Sequence, residues 1–520
     1  MKKLPIGIQT FSKIRKDNYL YVDKTPDIAE LIESGQYLFL YRPRIFGKYL
    51  LISTLSEIFT GNKKLFQGLY IYDKIEWQSY PVIVIDFKKI SYTDDIIFEG
   101  SLLSFLNKTA AKYDIELDSP YIKDKFGELI EKISEKTQQK VVILIDEYDQ
   151  IIVEHIDDIE KATKNSEIIR YFFGVLKSSD PFLRFVFLTG VSKFSRVSIF
   201  SELNNIRDIT FSRQFATLLG YTQKELETNF ESYIQNLCSV LEIKKAQALI
   251  KIKTWYNGYS WNAKDKLYNP FSILNLFTEQ RFSNYWFATG TPTFLMKLIK
   301  QTEFDTTQLE NKKVSEILFD SYNIENLNVF ALLFQTGYLT ITEINQKTRT
   351  IQYILNYPNF EVKQAFMTYL FNSFTKNDLG EIQPAAEDLY DYLQTGNIEG
   401  FINIIRALFA KIPYPLHIEQ EAYYHSLFYM ISALMGVEID LEKLTDKGRI
   451  DGVLTFDNKI YLIEFKYGKA GSDMEKLTNK AIEQIKDNSY GERFLNDTRQ
   501  RIYLGVGFSG KEIGYKIEKA

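Results

Sequence analysis

The 520-residue chain contains one cysteine, Cys238, and only three histidines, His155, His417 and His425. A single thiol forms no intrachain disulfide, which fits a reducing compartment, and the scarcity of Cys and His excludes a Cys/His zinc module. A catalytic metal would therefore need carboxylate ligands, which favours Mg²⁺ or Mn²⁺. Long apolar runs are missing as well. None approaches the roughly 18 residues that span a bilayer. The start, Met1-Lys2-Lys3 followed by Pro5, Gly7 and Gln9, lacks the apolar centre of a secretory signal. These absences lead us to expect a cytoplasmic protein without a membrane partner. An excess of one charge is also lacking: the formal net charge is −4, so nucleic-acid binding would rest on a local patch and not on a global basic field. Oligomeric state leaves no trace in the sequence.

Phe and Tyr are abundant, at 39 and 35, which is ample material for large cores. At about 150 residues per domain, this length suggests roughly three domains. Between residues 1 and about 214, short apolar segments alternate with helical ones. Tyr37 to Tyr41, Val82 to Asp86, Val141 to Ile145 and Phe185 to Leu188 read as strands. A helix is expected from Pro26 to Ser34, with Thr25 as its N-cap, and another from Tyr49 to Thr60. Continuous apolar strands separated by helices indicate a parallel sheet covered on both faces. From 215 to 385 the pattern becomes mostly helical, with aromatic patches such as Trp255-Tyr256-Asn257-Gly258-Tyr259 and Tyr285-Trp286 that suit packing. From 386 to 520 the order helix, strand, strand, helix, strand returns to α/β.

Asp457-Asn458 joins the strands Ile450 to Phe456 and Ile460 to Lys466 as a two-residue hairpin turn. In that register Asp451 lies opposite Glu464, with Lys466 on the same face. Facing carboxylates repel. Two readings follow. Lys466 neutralises a solvated cluster at a strand end, or a divalent metal bridges Asp451 and Glu464 while Lys466 polarises water or neutralises charge growing on a phosphate. The apolar neighbours Tyr461, Leu462, Ile463 and Phe465 favour the second, because charges are seldom buried without purpose.

Near the N-terminus, Arg42-Pro43-Arg44-Ile45-Phe46-Gly47-Lys48 follows a strand and opens a helix, the position of a loop whose N–H groups and lysine cradle phosphates. Arg44, Gly47 and Lys48 are its candidate phosphate contacts. Compared with G-x-x-x-x-G-K-[ST], Arg42 takes the first Gly position and Tyr49 replaces the small hydroxyl that would ligate Mg²⁺. The strand Val141 to Ile145 ends in Asp146-Glu147. Asp146 would hold Mg²⁺ and Glu147 would orient an attacking water; the plainer alternative is two acids ending a strand. Thr189 and Asn205, both after the fourth strand, suit sensing of a terminal phosphate, with a loop cap an equal alternative; Arg196, Arg207 and Arg213 are unranked candidates for the same task.

Two resemblances follow from these residues. Gly448-Arg449-Ile450-Asp451, with Glu464-Phe465-Lys466 twelve residues on, resembles the D…ExK signature of the PD-(D/E)xK nuclease superfamily. The resemblance implies a restriction-endonuclease-like α/β domain over 386–520. It also implies an additional acidic metal ligand at Glu421 and an assisting Gln484, with His425 either a bystander or a supporting residue. The N-terminal motifs Leu4-Pro5-Ile6-Gly7, Tyr21-Val22-Asp23-Lys24-Thr25, Arg42 to Lys48, Ile145-Asp146-Glu147-Tyr148-Asp149 and Thr189-Gly190-Val191-Ser192 resemble an AAA-ATPase-like family. So do Phe200 to Asn205, Trp255 to Tyr259 and Phe334-Gln335-Thr336-Gly337-Tyr338. That family, common in bacterial genomes, is found joined to such a nuclease domain. Its loop usually reads R-P-R-R-F-G-K-S, so Arg42 is a family trait, whereas Ile45 and Tyr49 are departures.

The fold expected is α/β throughout: a P-loop NTPase-like core over 1–214, a helical lid or middle region over 215–385, and the nuclease-like domain over 386–520. The function expected is an ATPase-like protein coupled to a metal-dependent nuclease acting on DNA. ATP is the expected nucleotide, and Tyr49 sets its hydrolysis in question. Two alternatives stay open: a nucleotide- and nucleic-acid-binding protein that does not cut, and a nuclease on a degenerate ATPase-like scaffold.

Overall fold

The continuous apolar run Val141–Ile145 forms an interior strand of a parallel sheet, because only a strand buried on both faces accommodates uninterrupted apolar residues. This computed structural model describes residues 1–519 except 156–157, 194–201, 288–294, 296–298, 300–308, 321–327, 347–349, 376–378, 411–420, 438, 446–447 and 511. For 374–375, 379, 421–425, 440–445, 448–449 and 493 it describes the backbone alone. Two compact units form: Met1–Thr289 with Asn311–Asn359, and Gly290–Glu310 with Phe360–Ala520. The stretch 215–385 contributes to both.

The first unit is built on β1 (Tyr37–Tyr41), β2 (Val82–Asp86), β3 (Val141–Asp146), β4 (Leu183–Gly190) and β5 (Arg207–Asp208), all parallel, in spatial order β2-β3-β4-β1-β5. Every residue of β1 and β3 is buried, whereas β2, at the edge, alternates between buried and half-buried. The strand order brings the carboxyl ends of β1, β4 and β3 side by side, the place where open α/β sheets bind ligands. Helix Lys48–Phe59 starts there, after Gly47 at φ +95°. The earlier helix runs Thr25–Glu33, so Thr25 is its first residue and not its cap. The cap position falls on Lys24, and Asp23 before it accepts from both the Thr25 amide and hydroxyl.

The stretch expected to be mostly helical also contains β6 (Asn257–Tyr259) paired with β7 (Leu267–Tyr268), and an antiparallel sheet of β8 (Lys312–Ser315), β9 (Thr340–Asn345) and β10 (Gln352–Asn356) in the order β8-β10-β9. Thr340-Ile341-Thr342-Glu343-Ile344 has four β-branched residues in five, a strand preference, but no regular alternation, because its pairing with β10 is irregular beside Ile341. Gly258 sits at φ +137°, and a Cβ there would lie 1.8 Å from the Pro358 carbonyl oxygen, so the glycine of the W-Y-N-G-Y motif is sterically required.

In the second unit, β11 (Ile439–Thr445), β12 (Gly448–Phe456), β13 (Lys459–Gly468), β14 (Gln500–Ser509) and β15 (Glu512–Lys519) form one sheet in sequence order. All neighbours are antiparallel except β13 and β14, which are parallel and joined through helix Met474–Asp487. Phe465 and Phe508 face Phe428 and Phe409, on helices Glu421–Leu434 and Ile398–Ala410. The opposite face carries Ile460 and Leu462, packed with Ile482 and Ile485 of helix Met474–Asp487. That helix rests almost directly on β14, because Gly505 and Gly507 present no side chain to it.

A Cβ on Gly505 would lie 2.8 Å from the Thr478 carbonyl oxygen and 2.9 Å from the Ala481 Cβ. We therefore expect Gly505→Ala to destabilise the C-terminal unit by about 1–3 kcal/mol, the usual cost of overpacking. Urea unfolding followed by tryptophan-independent far-ultraviolet dichroism measures this; an unchanged midpoint would contradict the close approach.

Candidate functional site

The hairpin turn sets the geometry of the C-terminal site. Asp457 adopts φ +47°, as a two-residue hairpin turn needs. The pairs Phe456↔Lys459 through Gly452↔Ile463 then fall in the register anticipated from the sequence. The ladder stops at Gly452, one residue short of Asp451. There side chains replace backbone partners: Asp451 Oδ2 accepts the Phe465 N–H at 2.8 Å, and the Glu464 carboxylate accepts from the Asp451 N–H. Lys466 Nζ donates to Glu464 Oε1 at 2.9 Å and to the Phe465 carbonyl at 3.0 Å.

Glu464 is only 1% exposed, and among the described residues its Oε2 has no hydrogen-bond partner. Burial first, and then the charge of Asp451, push its carboxyl above the ordinary range; Lys466 offsets this only in part. Two carboxylates against one ammonium, with one buried oxygen left over, suit a divalent cation, and the hard oxygen donors fit Mg²⁺ or Mn²⁺. Among the described residues no group of three or more His, Cys, Asp or Glu could hold a metal, so the hairpin supplies two ligands. Glu421 and His425 lie on helix Glu421–Leu434, but their side chains fall outside the described residues. Gln484 lies half-buried on helix Met474–Asp487, which covers the face carrying Glu464, and makes no side-chain hydrogen bond to Asp451, Glu464 or Lys466.

At the carboxyl edge of the N-terminal sheet, Asp86 of β2 is level with Asp146 of β3, and Thr189 of β4 follows in the same row. Asp146 is 2% exposed; burial and the adjacent Glu147 push its pKa up to about 7. Burial opposes the charge on Glu147 too, but Lys48, Lys88 and Arg44 outweigh it and hold its carboxyl below the ordinary value. Lys88 Nζ lies 3.1 Å and Lys48 Nζ 3.8 Å from Glu147 Oε1. Lys48 also donates to the carbonyls of Arg42 and Pro43, both at 3.0 Å, which closes the loop on itself. The second oxygen of Glu147 and the hydroxyl of Thr189 are buried without partners among the described residues.

Arg42 proves to be a structural residue. Its guanidinium is 1% exposed, donates to the carbonyls of Tyr41 and Thr210, and lies 3.8 Å over the Trp261 ring. The aromatic patches of the middle stretch wall in the same loop. Phe46 packs edge-on against Tyr259 and Trp261, Trp286 Nε1 donates to the Arg44 carbonyl, and Gly337 leaves room for Pro43. Ile45 holds φ +56°, an uncomfortable conformation for a β-branched residue. Arg44 is exposed at the loop surface.

The site does not gather every residue singled out from the sequence. Asn205 hydrogen-bonds the Tyr37 hydroxyl, at the start of β1 and so at the far end of the sheet from the loop. Arg207 donates to the Ser34 carbonyl, also at that end, and Arg196 lies outside the described residues. Tyr49 turns into a cavity of about 440 Å³ between its own helix and helix Asp95–Lys112, where its hydroxyl meets Lys89. Lys89 Nζ in turn lies 3.1 Å from Asp86 Oδ2. Two of these N-terminal acids, Asp86 and Glu147, are thus paired with lysines, and the residue after Lys48 offers no small hydroxyl.

Sequence reading missed Asp86, although it ends a strand just as Asp146 does. It also missed the role of Asp149. That buried carboxylate accepts from the amides of Val191 and Ser192 and from the Ser192 hydroxyl, binding the I-D-E-Y-D and T-G-V-S motifs together.

Comparison with known proteins agrees with this division. A family model described as a predicted AAA-ATPase matches residues 5–200, and one for the PD-(D/E)XK nuclease superfamily matches residues 419–518. A relative described as an uncharacterized protein in the vnfD 5′ region of Azotobacter chroococcum mcd 1 is 36% identical over 529 aligned residues, covering 99% of each chain.

Removing the Asp149 carboxylate strands two buried amides and a hydroxyl. Asp149→Ala should therefore destabilise the N-terminal unit by about 3 kcal/mol or more, against about 1 kcal/mol for Ser192→Ala, which loses a single hydrogen bond. Denaturant titration of the two variants checks the ratio; equal losses would show that the carboxylate is not the common anchor.

Proposed function

The chain belongs to the family of AAA-ATPase-like proteins that carry a C-terminal PD-(D/E)xK nuclease-superfamily domain, and on that premise we propose that its C-terminal unit hydrolyses phosphodiester bonds in DNA while its N-terminal unit binds ATP. The observation that carries the first part is Glu464, buried beside Asp451 with one oxygen unpartnered and Lys466 at 2.9 Å from the other. Asp451 and Glu464 would hold Mg²⁺ or Mn²⁺, which when bound would supply Lewis-acid polarisation of the phosphate and of water. The Phe465 N–H fixes the Asp451 carboxylate, so that its orientation does not depend on a bound ion. Lys466, with a quarter of its side chain exposed, reaches the open side of the hairpin and stabilises negative charge developing on the phosphate oxygens. Gln484 and Glu421 would assist from their helices. DNA as the substrate rests on the superfamily resemblance, and a cytoplasmic location on the single cysteine. Among the described residues no helix is long and apolar enough to cross a membrane.

ATP binding is supported by the loop Arg42–Lys48 at the carboxyl edge of the sheet, by the unpartnered Thr189 hydroxyl, and by an apolar cavity beside Gly47. The motif residues Pro5, Tyr21, Val22 and Lys24 line that cavity together with Leu219 and Pro270, a suitable seat for a base. Lys48 would exchange the carbonyls of Arg42 and Pro43 for phosphate oxygens.

Incubated with plasmid DNA and Mg²⁺, the protein should nick or linearise it. Asp451→Ala, Glu464→Gln and Lys466→Ala should each slow cleavage by about 10²-fold or more. Cleavage unchanged in Asp451→Ala would remove this site from the reaction, and no cleavage by the parent protein would favour a binding role without chemistry. For the N-terminal unit, Lys48→Ala should weaken ATP binding by about tenfold or more, as expected from losing a charge-assisted contact. Equal affinity in parent and variant would place the nucleotide elsewhere.

A further inference from the structure

Resting on the proposed ATP site, we infer that this chain binds the nucleotide without Mg²⁺, with the ammonium groups of Lys88 and Lys89 supplying the positive charge that the metal would otherwise bring. The argument begins with charge. Three carboxylates, Asp86, Asp146 and Glu147, converge at the ends of β2 and β3. A nucleotide adds its own negative charge to this edge, so binding requires cations between the two. A magnesium-dependent loop leaves the acids free for the ion and places a small hydroxyl after the lysine.

Here the small hydroxyl is missing and two of the three acids are engaged by lysines. Glu147 is paired with Lys88 at 3.1 Å and approached by Lys48 at 3.8 Å, and Asp86 is paired with Lys89 at 3.1 Å. The side chain after Lys48 is Tyr49, too large for the ligand position, and it points into the cavity between its helix and helix Asp95–Lys112. Its hydroxyl bonds to Lys89, and its ring lies 5.7 Å from the same ammonium. Tyr49 thus does more than remove a metal ligand: it steadies one of the two lysines beside the acids. Consecutive in sequence, Lys88 and Lys89 reach Glu147 and Asp86 respectively from the turn that follows β2.

The lysine side chains are 58% and 71% exposed, so they are mobile enough to shift from carboxylate to phosphate and can be replaced without disturbing the core. Lys88 and Lys89 are therefore nucleotide-binding residues by this inference, and the site is a binding site and not a hydrolytic one.

Isothermal titration of the full chain with ATP, once in excess EDTA and once in excess Mg²⁺, tests this directly. The expected result is the same Kd, within about threefold, in both buffers. The double variant Lys88→Ala/Lys89→Ala should lose about tenfold or more in EDTA, the scale of a lost charge-assisted contact. It should recover on adding Mg²⁺, because the freed acids can then take the ion, a signature that simple structural damage would not produce. Binding by the parent chain that is at least tenfold tighter with Mg²⁺ overturns the inference and leaves ATP binding standing. Binding in neither buffer overturns both, and a double variant that binds like the parent in EDTA excludes the two lysines.

Discussion

Glu464 and Glu147 are carboxylates withdrawn from water, each with one oxygen held by lysine and the other left over. Removing such a group from solvent costs several kcal/mol even after the surroundings relax. The fold around each must therefore return that energy through cations and N–H donors. In the C-terminal unit the return comes from Lys466 and from the exchange between Asp451 and Glu464, each of which takes the other strand's amide hydrogen. In the N-terminal unit it comes from Lys48 and Lys88. The two sites share a physical problem and differ in the solution. The hairpin keeps an excess of negative charge, whereas the sheet edge cancels much of its own.

That contrast bears on how the two halves of the family pattern persist here. Where charge remains unbalanced, the signature residues Asp451, Glu464 and Lys466 are all present. Where charge is balanced by Lys88 and Lys89, the metal-binding hydroxyl is replaced by Tyr49. Loss of the small hydroxyl and presence of the lysines are coherent with each other, since Tyr49 itself contacts Lys89.

Much of this was legible in the sequence because it depends on local rules. The hairpin register followed from a two-residue turn, and β1, β2 and β3 followed from apolar runs with sharp ends. What stayed hidden depends on residues far apart in the chain. Arg42 stood out as a substitution at a glycine position, but nothing near it announced Trp261 as its stacking partner. Asn205 looked like a phosphate sensor because it follows β4 at a suitable distance, yet its side chain meets the Tyr37 hydroxyl. The strands β6 to β10 are only two to six residues long, too short for a periodic signal to stand out. Asp149 shows a third case: its position in a motif was visible, but its partners Val191 and Ser192 are more than forty residues away.

The burial of Arg42 under Trp261 has a consequence for modularity. The loop Arg42–Lys48 is not made by its own stretch of chain. Its shape is held by Thr210, Tyr259, Trp261, Trp286 and Gly337, contributed from segments that a boundary near residue 214 would largely cut away. The parallel sheet and the aromatic region beyond it therefore form one heritable unit. Recombination between relatives could exchange the nuclease domain and leave the loop intact, but a crossover between the sheet and Trp261 would separate the arginine from the ring that shelters it.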